Sequence, residues 1–198
     1  MKKYNVAVAG ATGAVGEAMF DILQEREFPI NNIYALASER SEGKKVMLGS
    51  KAITVTDLAN FDFKLADIAL FSAGGAISAE FAPKAGDSGC VVIDNTSHFR
   101  YDDDIPLIIP EVNCCKIGEY KNRNIIANPN CSTIQMLVAL KPIYDAVGIT
   151  RITVSTYQAV SGSGTTAVNE LAKQTAELLN GRDAVSYTHL TLPTICSV

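Results

Sequence analysis

Short apolar runs alternate along this chain with stretches of helical spacing. Tyr4–Ala9 (YNVAVA) is a short, largely apolar run that stops at Gly10, as a strand buried on both faces would. Residues 14–26 then carry Val15, Ala18, Met19, Ile22 and Leu23 at i, i+3, i+4, i+7 and i+8, which predicts a helix closed by Pro29 and the Asn31 and Asn32 pair. Further runs predict strands at 33–37, 46–48, 53–55, 68–72, Val91–Asp94 and Ile125–Ala127, with a hairpin across Gly49 and Ser50. A helix is predicted at 77–85. Strands alternating with helices predict an α/β class fold: a doubly wound parallel sheet with helices on its faces.

After Pro129 the pattern changes. Residues 132–147 predict a long amphipathic helix. Residues 149–157 predict a long β-branched strand of alternating polarity, typical of an antiparallel sheet open on one face. Thr165–Leu179 predicts a helix ending near Asn180 and Gly181. The change puts a boundary near Cys131, with a first domain over 1–130 and the beginning of an α+β domain over 131–185. Residues 186–198 carry no charge and follow neither periodicity. They read as an extraneous, out-of-frame extension rather than a short terminal strand.

Composition narrows the setting. Of 198 residues, 47% are hydrophobic and 19% charged, an ordinary balance for a chain that builds its core without disulfides. The net charge of −4 and the lack of a basic block argue against nucleic acid or an anionic membrane as partner. No stretch approaches the ~18 apolar residues of a membrane span, and the apolar run near the N-terminus is too short for a signal peptide. Five cysteines, an odd number without metal-ligand spacing, point to a reducing, cytoplasmic setting and to no metal site.

Two motifs carry chemistry. Gly10, Gly13 and Gly16 (GATGAVG) lie between the first strand and the first helix. There a pyrophosphate needs close backbone approach and the free N–H groups of a helix N-terminus. The spacing is GxxGxxG, and the alternative is a tight turn that binds nothing. At the end of the second strand, Arg40 is suited to a ribose 2′-phosphate, with Ser38 and Ser41 assisting; Glu39 keeps NAD open, but the balance favours NADP. The second motif is Cys131, at or next to the N-cap of the 132–147 helix. Helix N–H groups and dipole favour a thiolate nucleophile there and can hold a developing oxyanion. The alternative is a small buried cysteine, which suits Cys90; Cys114 and Cys115 read as incidental.

GATGAVG, LFSAGG, DNTS with Phe99 and Arg100, PEVN, NPNCSTIQ and STYQAVSG, in that order over residues 4 to about 180, resemble bacterial aspartate-β-semialdehyde dehydrogenases. Glyceraldehyde-3-phosphate dehydrogenases carry a cysteine motif like SCTTNC and N-acetylglutamyl-phosphate reductases one like PGCY; neither occurs here. The resemblance implies a Rossmann-like NADP-binding domain and a substrate and dimerisation domain. It implies NADPH-dependent reduction of β-aspartyl phosphate to aspartate semialdehyde, in lysine, methionine, threonine, isoleucine and diaminopimelate biosynthesis, by a homodimer. Residue by residue, Cys131 matches the nucleophile that forms the acyl-thioester, Gln158 the substrate-binding glutamine and Arg100 the phosphate-binding arginine. Thr12, Gly13, Ala14, Val15, Arg40, Ser41, Ser161 and Gly162 match NADP contacts, and Asn95 and Asn130 are expected to line the same cleft, Asn130 as a substrate contact. Without the resemblance, Arg100 would read as an ion-pair partner of Asp102, Asp103 or Asp104. The family's acid/base histidine, its arginine for the substrate α-carboxylate and a phosphate-site lysine have no counterpart here. His98 and His189 are the only histidines, so this chain alone is expected to be inactive or nearly so. The competing readings are another phosphorylating aldehyde dehydrogenase, such as an N-acetylglutamyl-phosphate reductase, a dinucleotide-binding module without catalysis, and a truncation product that does not fold.

Overall fold

The computed structural model describes residues 2–182. The expected extension at 186–198, with His189, lies outside the described residues, as does the end of the expected 131–185 fragment. The chain divides into two compact units, Met1–Thr156 and a second from Tyr157 onward.

The first unit is built on strands β1 (Tyr4–Ala9), β2 (Ile30–Ala37), β3 (Lys45–Leu48), β4 (Lys51–Asp57), β5 (Ile68–Phe71), β6 (Val91–Asp94) and β7 (Ile125–Ala127). Its helices are α1 (Ala14–Glu25), α2 (Gly75–Asp87), the short α3 (Pro110–Asn113) and α4 (Cys131–Val147). The strands form one sheet in the order β3-β4-β2-β1-β5-β6-β7. All pairings are parallel except the β3–β4 hairpin, which turns at Gly49 and Ser50 as the sequence predicts.

The alternation of side chains on the central strands builds two cores. Ala7, Ala9 and Leu36 face one side and join Phe63, Phe71, Ala82, Ala85, Val92 and Ile125. Val8, Ala35 and Ala37 face the other and join Phe20, Val46, Ile53 and Val55. α1 supplies Phe20 to one core and α2 supplies Ala82 and Ala85 to the other. Strands clad on both faces need apolar residues at successive positions, which is why YNVAVA reads as a continuous run. The doubly wound fold class expected from the sequence is the one observed.

The last predicted strand is not formed. Residues 149–157 contain no ladder, and Ile152, Val154 and Tyr157 are exposed. β-branching and alternation fit a pleated surface, but a strand exists only with a hydrogen-bonded partner, and no described strand lies alongside this segment. The second unit, described by itself, holds a 3-10 turn at Val160–Ser163 and helix α5 (Thr165–Leu179), with no buried residue in either.

Two glycines check the packing. A Cβ on Gly86, in α2, would collide with the carbonyl oxygen of Arg123 just ahead of β7, whereas one on exposed Gly118 would meet nothing within 4 Å. Gly86→Ala is expected to lower unfolding stability by about 2–4 kcal/mol, and Gly118→Ala to change it by less than about 0.5 kcal/mol. Urea denaturation of the two variants side by side checks this; equal stabilities would refute the close approach of α2 to β7.

Candidate functional site

β1 has β2 on one side and β5 on the other, so the chain switches direction across the sheet between β1 and β5. In open α/β sheets the crevice beyond the strand C-termini at such a switch is where ligands bind. The glycine motif occupies this position. Gly10 has φ +88, in the left-handed region, and a Cβ there would stand 2.5 Å from the Ser72 carbonyl oxygen at the end of β5. A Cβ on Gly16 would collide with the Gly10 carbonyl oxygen, so α1 can pack against the loop only as glycine. Gly10 and Ala11 both donate N–H bonds to the Leu36 carbonyl (2.9 and 3.1 Å), tying the loop to β2.

Gly13 is different. It is the N-cap of α1, it offers no side-chain cap, and a Cβ there would make only ordinary contact, 3.4 Å from the Gly10 oxygen. The fold itself does not require a glycine here, but an anion resting on the first-turn amides of α1 would. Thr12 is half-buried, and Ala14 and Val15 are exposed at the helix mouth. These residues fit a pyrophosphate of a dinucleotide cofactor. Beyond β2, Arg40 is exposed and Ser41 half-buried in a 3-10 turn, Glu39–Ser41. Lys44, which has no place in the sequence motifs, brings its Nζ to 3.4 Å from Ser41 Oγ.

At the other end of the same sheet edge stand the ends of β6 and β7. Asp94, the last residue of β6, is fully buried. Ser78 of α2 donates its hydroxyl to Oδ1 (2.7 Å), and Thr96 donates its own hydroxyl to Oδ2 (2.7 Å) and its N–H to Oδ1 (3.3 Å). The carboxylate thus locks α2 to the loop that follows β6. That loop delivers Arg100, whose Nε donates to the Asn128 carbonyl (2.9 Å) and Nη2 to the Asn95 carbonyl (3.3 Å). The Asn128 side-chain amide donates to Asn95 Oδ1 at 2.7 Å. Arg100 therefore clips together the ends of β6 and β7 and does not pair with Asp102, Asp103 or Asp104; the ion pair to Asp104 belongs to Arg123 (3.3 Å). Two backbone carbonyls hold the guanidinium in the loop, closer than the carboxylates that follow it.

Three residues past Asn128, α4 begins. Asn130 is its N-cap, with Oδ1 accepting the Ser132 N–H at 2.9 Å, and Cys131 is the first helical residue, its side chain exposed. The expected placement of Cys131 at a helix start is met, and Asn130 shapes that start through its cap. Asn95 spends its side-chain oxygen on Asn128. In the second unit Gln158, Ser161 and Gly162 are exposed, around the 3-10 turn that precedes α5. A cleft of about 620 Å³ elsewhere in the first unit is lined by Val112, Leu137, Leu140, Tyr144, Ile149 and Ile152 among others, and by none of the site residues named above.

The family model described as "Semialdehyde dehydrogenase, NAD binding domain" matches residues 5–120. The chain belongs to the semialdehyde dehydrogenase family. A second model of that family, described as its dimerisation domain, matches residues 140–193. The chain is 63% identical over 187 residues to aspartate-semialdehyde dehydrogenase 2 of Vibrio cholerae, covering 94% of this chain and 56% of that protein. The crystal structure of aspartate semialdehyde dehydrogenase II from Vibrio cholerae, complexed with ASA, superposes with TM-score 0.92 at 61% identity, over 96% of this chain and 57% of that one. The aspartate semialdehyde dehydrogenase of Candida albicans, solved with NADP, superposes with TM-score 0.60 at 26% identity, over 74% of this chain and 48% of that one. The chain thus spans about half the length of the curated relative it matches.

Ser78 and Lys44 carry no signal in the sequence pattern, and Thr96 lies within the DNTS motif without a role assigned to it there. Ser78 sits in an ordinary helical stretch, and only the register of α2 against β6 brings it to Asp94. Cys90 behaves as the inert cysteine expected. It is fully buried, and burial, with Asp67 adding to it, pushes its thiol from 9.0 up to about 12. The folded state therefore favours the protonated thiol. Its contribution to stability is full below pH 9 and is lost as pH rises from about 9 towards 12, by at most about 1.4 kcal/mol per pH unit. Urea unfolding of the parent and of Cys90→Ser over this range is expected to give a shallower alkaline decline for the variant. Parallel declines would refute the burial of this thiol.

Proposed function

We propose that the chain is the N-terminal part of an NADP-dependent aspartate-semialdehyde dehydrogenase, acting in a cytoplasmic biosynthetic route to lysine, methionine, threonine, isoleucine and diaminopimelate. The observation that carries this reading is the position of Cys131. It is an exposed thiol on the first turn of α4, three residues past the carbonyl that anchors Arg100, at the sheet edge that also holds the glycine loop. A nucleophile beside an anion-binding guanidinium suits an acyl phosphate, which presents both an electrophilic carbon and a phosphate leaving group.

The Cys131 thiolate attacks the β-carbonyl carbon of β-aspartyl phosphate. First-turn N–H groups of α4 stabilise the oxyanion. The bond from that carbon to the phosphate oxygen breaks, phosphate departs to Arg100, and an aspartyl thioester remains on Cys131. Arg100 keeps its orientation through Asn95 and Asn128 and presents its remaining N–H donors to the phosphate. The nicotinamide cofactor, when bound, supplies the hydride that reduces the thioester carbon. Departure of the aldehyde returns the electron pair to the Cys131 sulfur. Gln158 and Asn130 are assigned to substrate binding.

Gly10, Gly13 and Gly16, with Thr12, Ala14 and Val15, hold the pyrophosphate, and Ser161 and Gly162 are assigned to cofactor binding. Arg40 and Ser41 take the 2′-phosphate, which selects NADP. The NADP in the Candida albicans crystal structure supports this choice. The matched dimerisation model supports a homodimer of the whole protein. Among the described residues no helix is long and apolar enough to cross a membrane.

Thioester formation needs less than the full cycle and makes the sharper test. Brief exposure to β-aspartyl phosphate, followed by acid quench and peptide mass mapping, is expected to leave an aspartyl adduct on the Cys131 peptide. Cys131→Ser is expected to abolish that adduct without changing unfolding stability by more than about 1 kcal/mol. Adducts spread evenly over Cys114, Cys115 and Cys131, or none at all, would overturn the assignment of the nucleophile.

A further inference from the structure

We propose that Lys44 is a second cation of the 2′-phosphate subsite and, with Arg40 and Ser41, sets the preference for a phosphorylated over an unphosphorylated ribose. The inference rests on the NADP reading and adds a residue to it.

The local backbone explains why Lys44 lies there. After β2 the chain makes the 3-10 turn Glu39–Ser41, closed by the Ser41 N–H on the Ser38 carbonyl (2.8 Å) and the Glu42 N–H on the Glu39 carbonyl (3.0 Å). Gly43 then takes φ +80, a conformation that side-chain-bearing residues rarely adopt, with open space where a Cβ would stand. This reversal turns the chain back on itself. The Lys44 N–H donates to the Ser41 carbonyl (3.2 Å), and its Nζ donates to Ser41 Oγ (3.4 Å). The position is anchored by β4, because the Gly43 N–H donates to the Val55 carbonyl (2.9 Å) and the Val55 N–H to the Lys44 carbonyl (2.8 Å).

Charge and placement then point to the ligand. Arg40 and Lys44 are both exposed, and neither takes part in an ion pair among the described residues, although Glu39 and Glu42 share the turn. A fork-shaped guanidinium, a hydroxyl and a point-charge ammonium are complementary to a phosphate dianion, and a ribose hydroxyl makes little use of two cations. The strand leading into the turn is tied to the glycine loop through Leu36, so the turn stands where the adenosine ribose of a bound dinucleotide is read.

Titration of the 198-residue chain with NADPH and with NADH, followed by nicotinamide fluorescence, tests this; the absence of tryptophan keeps the protein background low. Lys44→Ala is expected to weaken NADPH by roughly five- to tenfold, about 1–1.4 kcal/mol, and to leave NADH within about twofold. Lys44→Arg is expected to recover most of the loss, and added salt to shrink it. Unchanged NADPH affinity in Lys44→Ala, with preference lost in Arg40→Ala, would remove Lys44 from the subsite and leave the NADP reading intact. Equal weakening of both cofactors would make Lys44 a support of the turn and overturn the proposal. A parent chain that binds the two alike, or neither, overturns the NADP reading and this inference together.

Discussion

No side chain fits at residue 10, and most of the cofactor end of the fold follows from that. The loop leaving β1 passes so close to the end of β5 that a Cβ would stand 2.5 Å from the Ser72 carbonyl oxygen, and the backbone there already has φ +88. The carbonyl of Gly10 in turn receives α1 at Gly16, where again only a hydrogen is accommodated. These two contacts bring the helix N-terminus down onto the sheet edge at the switch between β1 and β5. Its free amides then point where a pyrophosphate can reach them. Gly13 completes the loop for a different reason, since the protein leaves room for a side chain there and an anion against the helix mouth does not.

Further along the same edge, a buried polar group takes the role that glycine has at β1. Asp94 is fully enclosed, and a buried carboxylate is tolerated only when its oxygens are satisfied. Ser78 and Thr96 satisfy them, which fixes the start of the loop carrying Arg100. Arg100 in turn bridges residues 95 and 128, and Asn128 leads into the capped start of α4. Arg100 and the start of α4 at Cys131, the proposed anion-binding group and nucleophile, are therefore both anchored to the ends of β6 and β7. Asp94 touches no proposed ligand, but its removal would loosen the loop that carries Arg100.

How much of this was legible in the sequence depends on the range of the interaction. The doubly wound sheet follows from periodicity, because strands buried on both faces require consecutive apolar residues and each leaves a readable run. Cys131 at a helix start was legible because a cap is local: Asn130 and the apolar periodicity after it lie within a few residues. Residues 149–157 were misread because pattern reports fitness for a sheet, while a strand needs a neighbour that the pattern cannot name. The partners of Arg100 were invisible for the same reason. Adjacent aspartates looked like its partners, but the loop geometry aims the guanidinium at carbonyls five and 28 residues away. Lys44 was missed because its approach to Ser41 depends on the left-handed turn at Gly43.

The two units differ in what holds them. The first unit has two cores, each with a helix packed against the sheet, and its central strands are sealed on both faces. The second unit buries no residue in its described elements, and Leu171, Leu178 and Leu179 of α5 are exposed. Burial supplies roughly 25 cal/mol for each Å² of apolar surface removed from water, so the stability of the chain is concentrated in the first unit. The cofactor loop, Arg100 and Cys131 all belong to that unit, whereas Gln158, Ser161 and Gly162 belong to the second. The proposed cofactor loop and nucleophile thus stand on the two cores of the first unit. The amphipathic pattern of α5 leaves Val168, Leu171, Leu178 and Leu179 exposed among the described residues, so that helix draws little stability from burial.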